Sequence, residues 1–312
     1  MELASMVSDP DISNRDLLAA TALASRGLPQ GQALAWTDNL IEFCLSETGR
    51  IPERLGLCSY LVSIGAGRIA SPQRWRSFGG LLHIACEAGS IDAIEWALLR
   101  EPLAINRPGG SFQTSPFHAL QMNESESVAL AAATLLAAAG CDINARSVDG
   151  QTALFRCFLE PLAELMLDLG ADPHLLDANG FSPFGLWIEV GLARPVRKLI
   201  GSRPSLADAP TPWGSMEAYG RPPLIDRPFI IASCSSSLAP ALGNCPARLR
   251  PVRGRSALLD ELCALGADPT LLDANGLDAY QRSGSPLALA HIERHLLTRG
   301  SPSRANATTR RI

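Results

Sequence analysis

The sequence predicts an all-α protein built from stacked helix-turn-helix repeats, and two observations support that prediction. The segment GADPHLLDANG at residues 170–180 returns at residues 266–276 as GADPTLLDANG, with one change in eleven positions. The segment before the first copy, LAELMLDL at residues 162–169, places its apolar residues at helical spacing. A block that recurs next to a helix is typical of an array in which each unit buries its apolar face against the next.

Each unit is predicted to contain a helix, a glycine stop, a long turn and a second, capped helix. Gly170 follows the helical segment, where a left-handed residue ends a helix without steric cost. Pro173 cannot continue that helix, and Asp177, like its equivalent in the second copy, is expected to close a tight turn on its own backbone. Ser182 is predicted to cap the next helix, with Pro183 in the first turn.

Four segments share a start signature for these units. GLLHIA at residues 80–85 and SPFHA at residues 115–119 contain it with a histidine, whereas the segments that begin at Thr152 and Ser182 keep the cap and the apolar position but lose the histidine. These starts resemble the TPLHxA-like start of the ankyrin repeat, whose unit is a turn plus two antiparallel helices. The resemblance implies an ankyrin-type solenoid.

The resemblance also implies how the chain divides and what its histidines do. About six repeats are expected over residues 79–300, with starts near residues 80, 115, 152, 182, 222 and 278. His83 and His118 are expected to brace adjacent turns through backbone hydrogen bonds. Pro161 falls where the two helices of the third repeat must join, so that helical pair is predicted to be short.

Three regions do not fit the repeat. Residues 202–254 are rich in Pro, Ser and Gly, and we interpret them as two insertions, residues 209–220 between repeats and residues 235–254 within the fifth repeat. Residues 1–78 contain helical patterns without the repeat signature and are predicted to form an N-terminal helical cap. Residues 301–312 are polar and are predicted to be a disordered tail.

The composition favours a cytoplasmic monomer that binds neither nucleic acid nor membranes. The 312 residues are 46% hydrophobic and carry a net charge of −4, so no field of a single sign is expected. Apolar runs stop short of the roughly 20 residues that a bilayer requires, and the first residues lack the pattern of a secretory signal. The eight cysteines form no CxxC pair, which is typical of reduced, buried thiols.

The sequence predicts no catalytic centre, cofactor or metal. GAGRIA at residues 65–70 fits a dinucleotide-binding pattern, but Pro72 would break the helix that must follow. His291 and His295 flank Glu293 on one helical face without a third ligand, which favours a solvated helix end over a metal site. An enzyme or metal-binding protein, with its site in the N-terminal helices, in the insertions or at this histidine pair, stays open as an alternative.

Binding to another protein is the function that the resemblance implies, in the role of a noncatalytic scaffold or adaptor. Turn tips and first helices would form its concave binding face. The candidate partner-binding residues on that face are Arg107, Phe112, Arg146, Val148, Arg156, Asn179, Trp187 and Asn275.

Two further alternatives concern the first insertion and the source of the protein. Trp213, Met216 and Tyr219 are expected either to anchor a partner or to fold back over the neighbouring repeat. The resemblance, together with basic charge that is almost all arginine, also suggests a bacterial protein delivered to a host cell. Lys198 is the only lysine.

Overall fold

The computed structural model describes residues 6–7, 9, 11–24, 26, 40–41, 43–45, 51–63, 80–100, 105–110, 112–123, 125–213, 224–234 and 255–298. These residues fall into two compact units. The N-terminal unit lies within residues 1–157 and 168–171, and the C-terminal unit within residues 158–167 and 172–312. Among the described helices, none combines the length and the apolar character that a bilayer-spanning helix requires.

The N-terminal unit has helices ahead of its helix pairs. The elements in chain order are α1 (Asn14–Ala24), α2 (Ile51–Ser63), α3 (Leu81–Ala88), α4 (Ile91–Arg100), α5 (Pro116–Ala119), a 3₁₀ helix (Leu120–Met122), α6 (Glu126–Ala138) and a second 3₁₀ helix (Ala153–Arg156). The first helices α3 and α5 pack on each other, and so do the second helices α4 and α6. The apolar core lies between these two layers, because each pair buries one face of both helices.

The C-terminal unit contains further helix pairs and a two-stranded sheet. Its elements are α7 (Glu160–Asp168, up to residue 167), α8 (Pro183–Val190), α9 (Ala193–Ser202), a 3₁₀ helix (Pro204–Ala207), β1 (Thr211–Trp213), β2 (Leu224–Asp226), α10 (Pro228–Cys234), α11 (Arg255–Ala264), α12 (Ala279–Ser283) and α13 (Pro286–Thr298). Within this unit, first helices stack in the order α8, α10, α12, and second helices in the order α9, α11, α13.

The duplicated blocks have the local structure that their residues predict. Gly170 and Gly266 are left-handed, with φ of 96° and 97°, at the ends of their helices. The Asp177 carboxylate accepts the backbone N–H groups of Asn179 and Phe181 at 2.9 and 3.0 Å. The equivalent aspartate of the second block does the same, which confirms that these carboxylates close turns.

Capping by Ser182 is also confirmed. Its hydroxyl accepts the backbone N–H of Gly185 at 3.1 Å, and Pro183 occupies the first turn of α8. The third pair is short, as Pro161 predicts, because its first helix is a single 3₁₀ turn of four residues (Ala153–Arg156).

The fifth pair corrects one predicted boundary. Its first helix begins at Pro228, not near residue 222, because Leu224–Asp226 forms β2. This strand pairs antiparallel with β1, with Trp213 opposite Leu224 and Thr211 opposite Asp226. Backbone groups committed to a strand ladder cannot make helical hydrogen bonds, so the helix starts only after it. The pattern of apolar residues alone gave no sign of this short sheet.

The helices before the first repeat are tied together by polar contacts. The guanidinium of Arg54 in α2 is almost fully buried and donates to Asn14 and to the backbone carbonyls of Val7 and Ile12. The indole N–H of Trp96 in α4 donates to the Ser59 hydroxyl of α2 at 2.8 Å. Helix α2 therefore packs on the first helix pair.

Several sequence predictions lie outside the described residues. They concern the GAGRIA segment at residues 65–70, residues 214–223 of the first insertion with Met216 and Tyr219, the second insertion at residues 235–254, and the tail at residues 301–312.

Candidate partner-binding surface

Three turns within the described residues share one hydrogen-bonded frame. At the first, the Ser147 N–H donates to the Gln151 carbonyl and the Gly150 N–H donates to the Ser147 carbonyl, both at 2.9 Å. The two bonds recur in both duplicated blocks with lengths between 2.8 and 3.1 Å. Each frame carries exposed residues next to it, such as Arg146, Leu176 and Leu272.

Phe112 and Val148 lie on adjacent turn tips of the N-terminal unit. Residues 109–114 form a turn closed by two backbone hydrogen bonds between Gly109 and Thr114, at 2.8 and 3.0 Å. The backbone N–H of Val148 donates to the carbonyl of Phe112 at 2.8 Å, which joins the two turns. Phe112 is 52% exposed and Val148 is 57% exposed. A backbone hydrogen bond thus joins two residues whose apolar side chains are exposed.

Three predicted arginines surround these tips. Arg107, Arg146 and Arg156 are all exposed. The Arg156 Nε donates to the side-chain oxygen of Gln151 at 3.3 Å, which places this guanidinium at the second turn. In the part of the chain that the structure describes, Arg107 and Arg146 make neither an ion pair nor a hydrogen bond through their side chains. We call the five residues Arg107, Phe112, Arg146, Val148 and Arg156 the Phe112–Val148 surface.

Two asparagines that the sequence analysis missed fix the spacing of these turns. The Asn106 side chain donates to the Gly140 carbonyl at 3.3 Å and accepts the Asp142 N–H at 2.7 Å. The Asn144 side chain donates to the Gly170 carbonyl at 3.1 Å. Both residues follow an isoleucine in an Ile-Asn dipeptide before a turn. The recurring Ile-Asn dipeptide could have identified both asparagines from the sequence.

The histidines at the repeat starts brace the same turns, which confirms their expected structural role. The His83 Nε2 lies 2.9 Å from the Thr114 carbonyl, and the His118 Nε2 lies 3.0 Å from the Gln151 carbonyl. The His118 Nδ1 accepts the Ser115 N–H at 3.1 Å, which assigns the proton to Nε2. Burial lowers the pKa of His118 to about 4, so the ring is neutral near pH 7.

In the C-terminal unit, one residue that was predicted to contact a partner is buried. Trp187 lies on α8, all eight residues of which are buried, and its side chain has no exposed area. A residue without exposed surface cannot contact a partner, so its place in the predicted binding face is wrong. Strand β1 packs on the same helix, where the Pro212 carbonyl occupies the space that a side chain at Gly185 would need.

Trp213 is also buried, and it covers the neighbouring helix instead of anchoring a partner. It is 7% exposed, and its indole N–H donates to the Asp226 carboxylate at 3.0 Å. Asp226 is itself buried and lies 3.6 Å from the Arg282 guanidinium. For Trp213, the structure therefore favours the interpretation in which this residue folds back over the neighbouring repeat. Tyr219 lies outside the described residues.

The predicted tip residues Asn179 and Asn275 are accessible. Asn179 is half-buried and Asn275 is exposed, and each donates its backbone N–H to the aspartate of its own turn. Leu176 and Leu272, which the sequence analysis passed over, are 40% and 45% exposed on the same turns. They lie six positions after the left-handed glycine, as Arg146 does, and that shared position could have identified them.

The alternative of a metal or catalytic site at His291 and His295 gains no support. The His291 Nε2 lies 3.6 Å from Asp260, whereas the His295 Nε2 lies 3.4 Å from Asp268. Residues in the described ranges contain no group of three or more His, Cys, Asp or Glu side chains that could hold a metal. The Cys263 thiol lies 3.9 Å from His291, but burial raises its pKa to about 11, so it stays protonated near pH 7 and is a poor nucleophile.

Comparison with solved structures identifies the fold. The ankyrin repeat domain of Bcl-3 matches with a TM-score of 0.50 and 19% identity, over 72% of this chain and 87% of that chain. The chain has an ankyrin repeat fold. A chain from the complex of the predatory endopeptidase Bd0816 of Bdellovibrio bacteriovorus with immunity protein Bd3460 also matches, with a TM-score of 0.47 and 14% identity, over 70% of this chain and 97% of that chain.

Sequence comparisons do not narrow the identification further. No family model matches the chain, and no curated protein matches its sequence significantly. The predicted fold class, an all-α ankyrin-type protein, is nevertheless confirmed by the structural match. The ankyrin repeat fold is typically a protein-binding fold.

Proposed function

We propose that this chain is a noncatalytic ankyrin repeat protein that binds another protein through the Phe112–Val148 surface. The turn tips at Asn179 and Asn275 of the C-terminal unit are proposed as further contacts. The observation that carries the proposal is the exposure of Phe112 and Val148 on two turns that a backbone hydrogen bond joins. Aromatic side chains and arginines are enriched in the centres of protein interfaces, and both residue types occur here.

The geometry supports binding over a structural role for these side chains. Backbone hydrogen bonds, the Asn106 clamp and the His118 brace hold the turns without any contribution from the exposed parts of Phe112 and Val148. Truncating an exposed side chain away from the core usually changes stability little. A surface held rigid before binding also loses little conformational entropy when a partner docks.

The proposal is tested by affinity capture from the cells that produce the protein. The Phe112→Ser/Val148→Ser double variant should fail to recover a protein that the unaltered chain retains. Leu99→Ser is the matched control, because Leu99 is 83% exposed on helix α4 of the same unit. Equal recovery by all three proteins would remove the support for this surface.

A further inference from the structure

We infer that the partner segment bound at the Phe112–Val148 surface is acidic, with carboxylates on either side of an apolar side chain. This inference rests on the proposed function and adds the chemistry of the partner.

The surface is locally basic in a chain that is acidic as a whole. The chain contains 31 acidic and 27 basic residues, which gives its net charge of −4. Three exposed arginines, Arg107, Arg146 and Arg156, nevertheless flank the two joined turns. Segments 105–118 and 140–157 contain only two carboxylates against them, Asp142 and the half-buried Asp149. The local excess of positive charge therefore attracts an acidic segment.

The free guanidinium groups of Arg107 and Arg146 contrast with those of the arginines on the second helices of the C-terminal unit. Arg194 pairs with Glu164, and Arg197 contacts both oxygens of Glu261 through two nitrogens. Arg294 lies 3.3 Å from Asp260. Guanidinium groups in this protein thus pair with carboxylates where the fold supplies them. At the Phe112–Val148 surface, Arg107 and Arg146 have no such partner among the described residues.

The chemistry of guanidinium favours a partner segment that carries carboxylates beside an apolar side chain. Arginine binds a carboxylate through two parallel hydrogen bonds, a geometry that lysine cannot offer. Phe112 and Val148 add an apolar centre, and covering it with a partner side chain would strengthen the adjacent ion pairs by excluding water. Phosphate also suits arginine, but two apolar side chains at the centre favour a peptide over a nucleic acid.

The experiment selects peptides from a displayed random library on the unaltered full chain and then measures their affinity. The recovered peptides should be enriched in Asp and Glu around an aliphatic or aromatic residue. Their affinity should fall by about tenfold or more for the Arg107→Glu/Arg146→Glu variant and should weaken with added salt. The control is Arg15→Glu/Arg100→Glu, which changes net charge equally at exposed arginines of the same unit and should leave affinity unchanged.

A charge exchange gives the decisive second measurement. Peptides with their acidic residues replaced by arginine should bind the Arg107→Glu/Arg146→Glu variant better than the unaltered chain. Neutral or basic peptides that still require Phe112 and Val148 would overturn the inference and leave the proposed function standing. Acidic peptides that bind all variants equally, or a library that yields no surface-dependent peptide, would overturn both. Displacement of the peptides by oligouridine at this surface would overturn the inference in favour of RNA.

Discussion

The Ser182 hydroxyl donates a hydrogen bond of 3.1 Å to the carbonyl of Pro212, and this contact holds strand β1 against helix α8. In the first two pairs, an imidazole side chain reaches a backbone carbonyl ahead of the next repeat, at Thr114 or Gln151. In α8 the corresponding position is Gly185, and the carbonyl comes directly to the helix. The absence of a side chain at Gly185 therefore allows β1 to pack directly on this face of α8.

Gly185→Ala is expected to destabilise the protein by about 1–3 kcal/mol, the usual effect of overpacking a core. The added methyl group would overlap the Pro212 carbonyl, so the backbone of β1 would have to move. Urea denaturation measures the loss. The control is Gly201→Ala in α9, where the methyl group meets no atom within 4 Å and should stabilise the helix slightly. Equal stability of the Gly185→Ala variant and the unaltered chain would show that β1 does not pack closely on α8.

Trp213→Ala should destabilise the protein by about 3–5 kcal/mol, as the removal of a buried tryptophan usually does. The change leaves a cavity beside α8 and deprives the buried Asp226 carboxylate of its indole donor. Trp213→Phe should cost less, because it keeps most of the apolar contact. Thermal unfolding followed by circular dichroism ranks the two variants. Normal stability of the alanine variant, combined with lost partner binding, would restore the interpretation of Trp213 as an exposed anchor.

The pKa of His118 predicts acid sensitivity of the N-terminal unit. Burial holds this pKa at about 4, below the ordinary value of 6.5. The unfolded chain therefore binds a proton more readily, and stability is lost as pH falls from about 6.5 towards 4, by about 3 kcal/mol at most. Histidine titration by nuclear magnetic resonance measures the midpoint directly. A His118 midpoint near the ordinary value of 6.5 in the folded protein would contradict the burial of its ring.

The carboxyl group of Glu189 in α8 predicts a dependence of stability on pH that is opposite in sign to that from His118. It is 5% exposed, one carboxylate oxygen has no hydrogen-bond partner, and burial raises its pKa to about 7. A folded pKa above the unfolded value means that the stabilisation present at low pH is lost as pH rises through about 7.

Glu189→Gln removes that titration and should stabilise the protein at about pH 8, where the unaltered carboxylate is charged and buried. Urea denaturation between about pH 5 and pH 8 compares the two proteins, and the variant should show the flatter profile. Parallel profiles would mean that the Glu189 carboxylate reaches solvent.

The sequence was sufficient to predict the features that depend only on residues close together in the chain. The left-handed Gly170, the turn closed by Asp177 and the cap of Ser182 each follow from residues within a few positions of one another. The histidine braces needed the ankyrin resemblance, because their acceptors lie more than thirty positions away.

Contacts between segments that are distant in the chain could not be predicted from the sequence. The close approach of the Pro212 carbonyl to Gly185 and the hydrogen bond between Trp213 and Asp226 each join separate segments of the chain. Helical spacing places an aromatic residue on a face but cannot tell whether another segment covers that face. The adjacency of Phe112 and Val148 likewise arises from a hydrogen bond between separate turns, although each residue was predicted singly.

The central claim, that a protein partner docks on the Phe112–Val148 surface, is tested most directly by photo-crosslinking in the cells that produce the protein. A photoreactive benzoyl-phenylalanine is placed at Phe112, at Val148 or, as the control, at Leu99 on helix α4. A discrete protein adduct from positions 112 and 148, and none from position 99, is the predicted result. Adducts only from position 99, or the same adducts from all three positions, would contradict the claim.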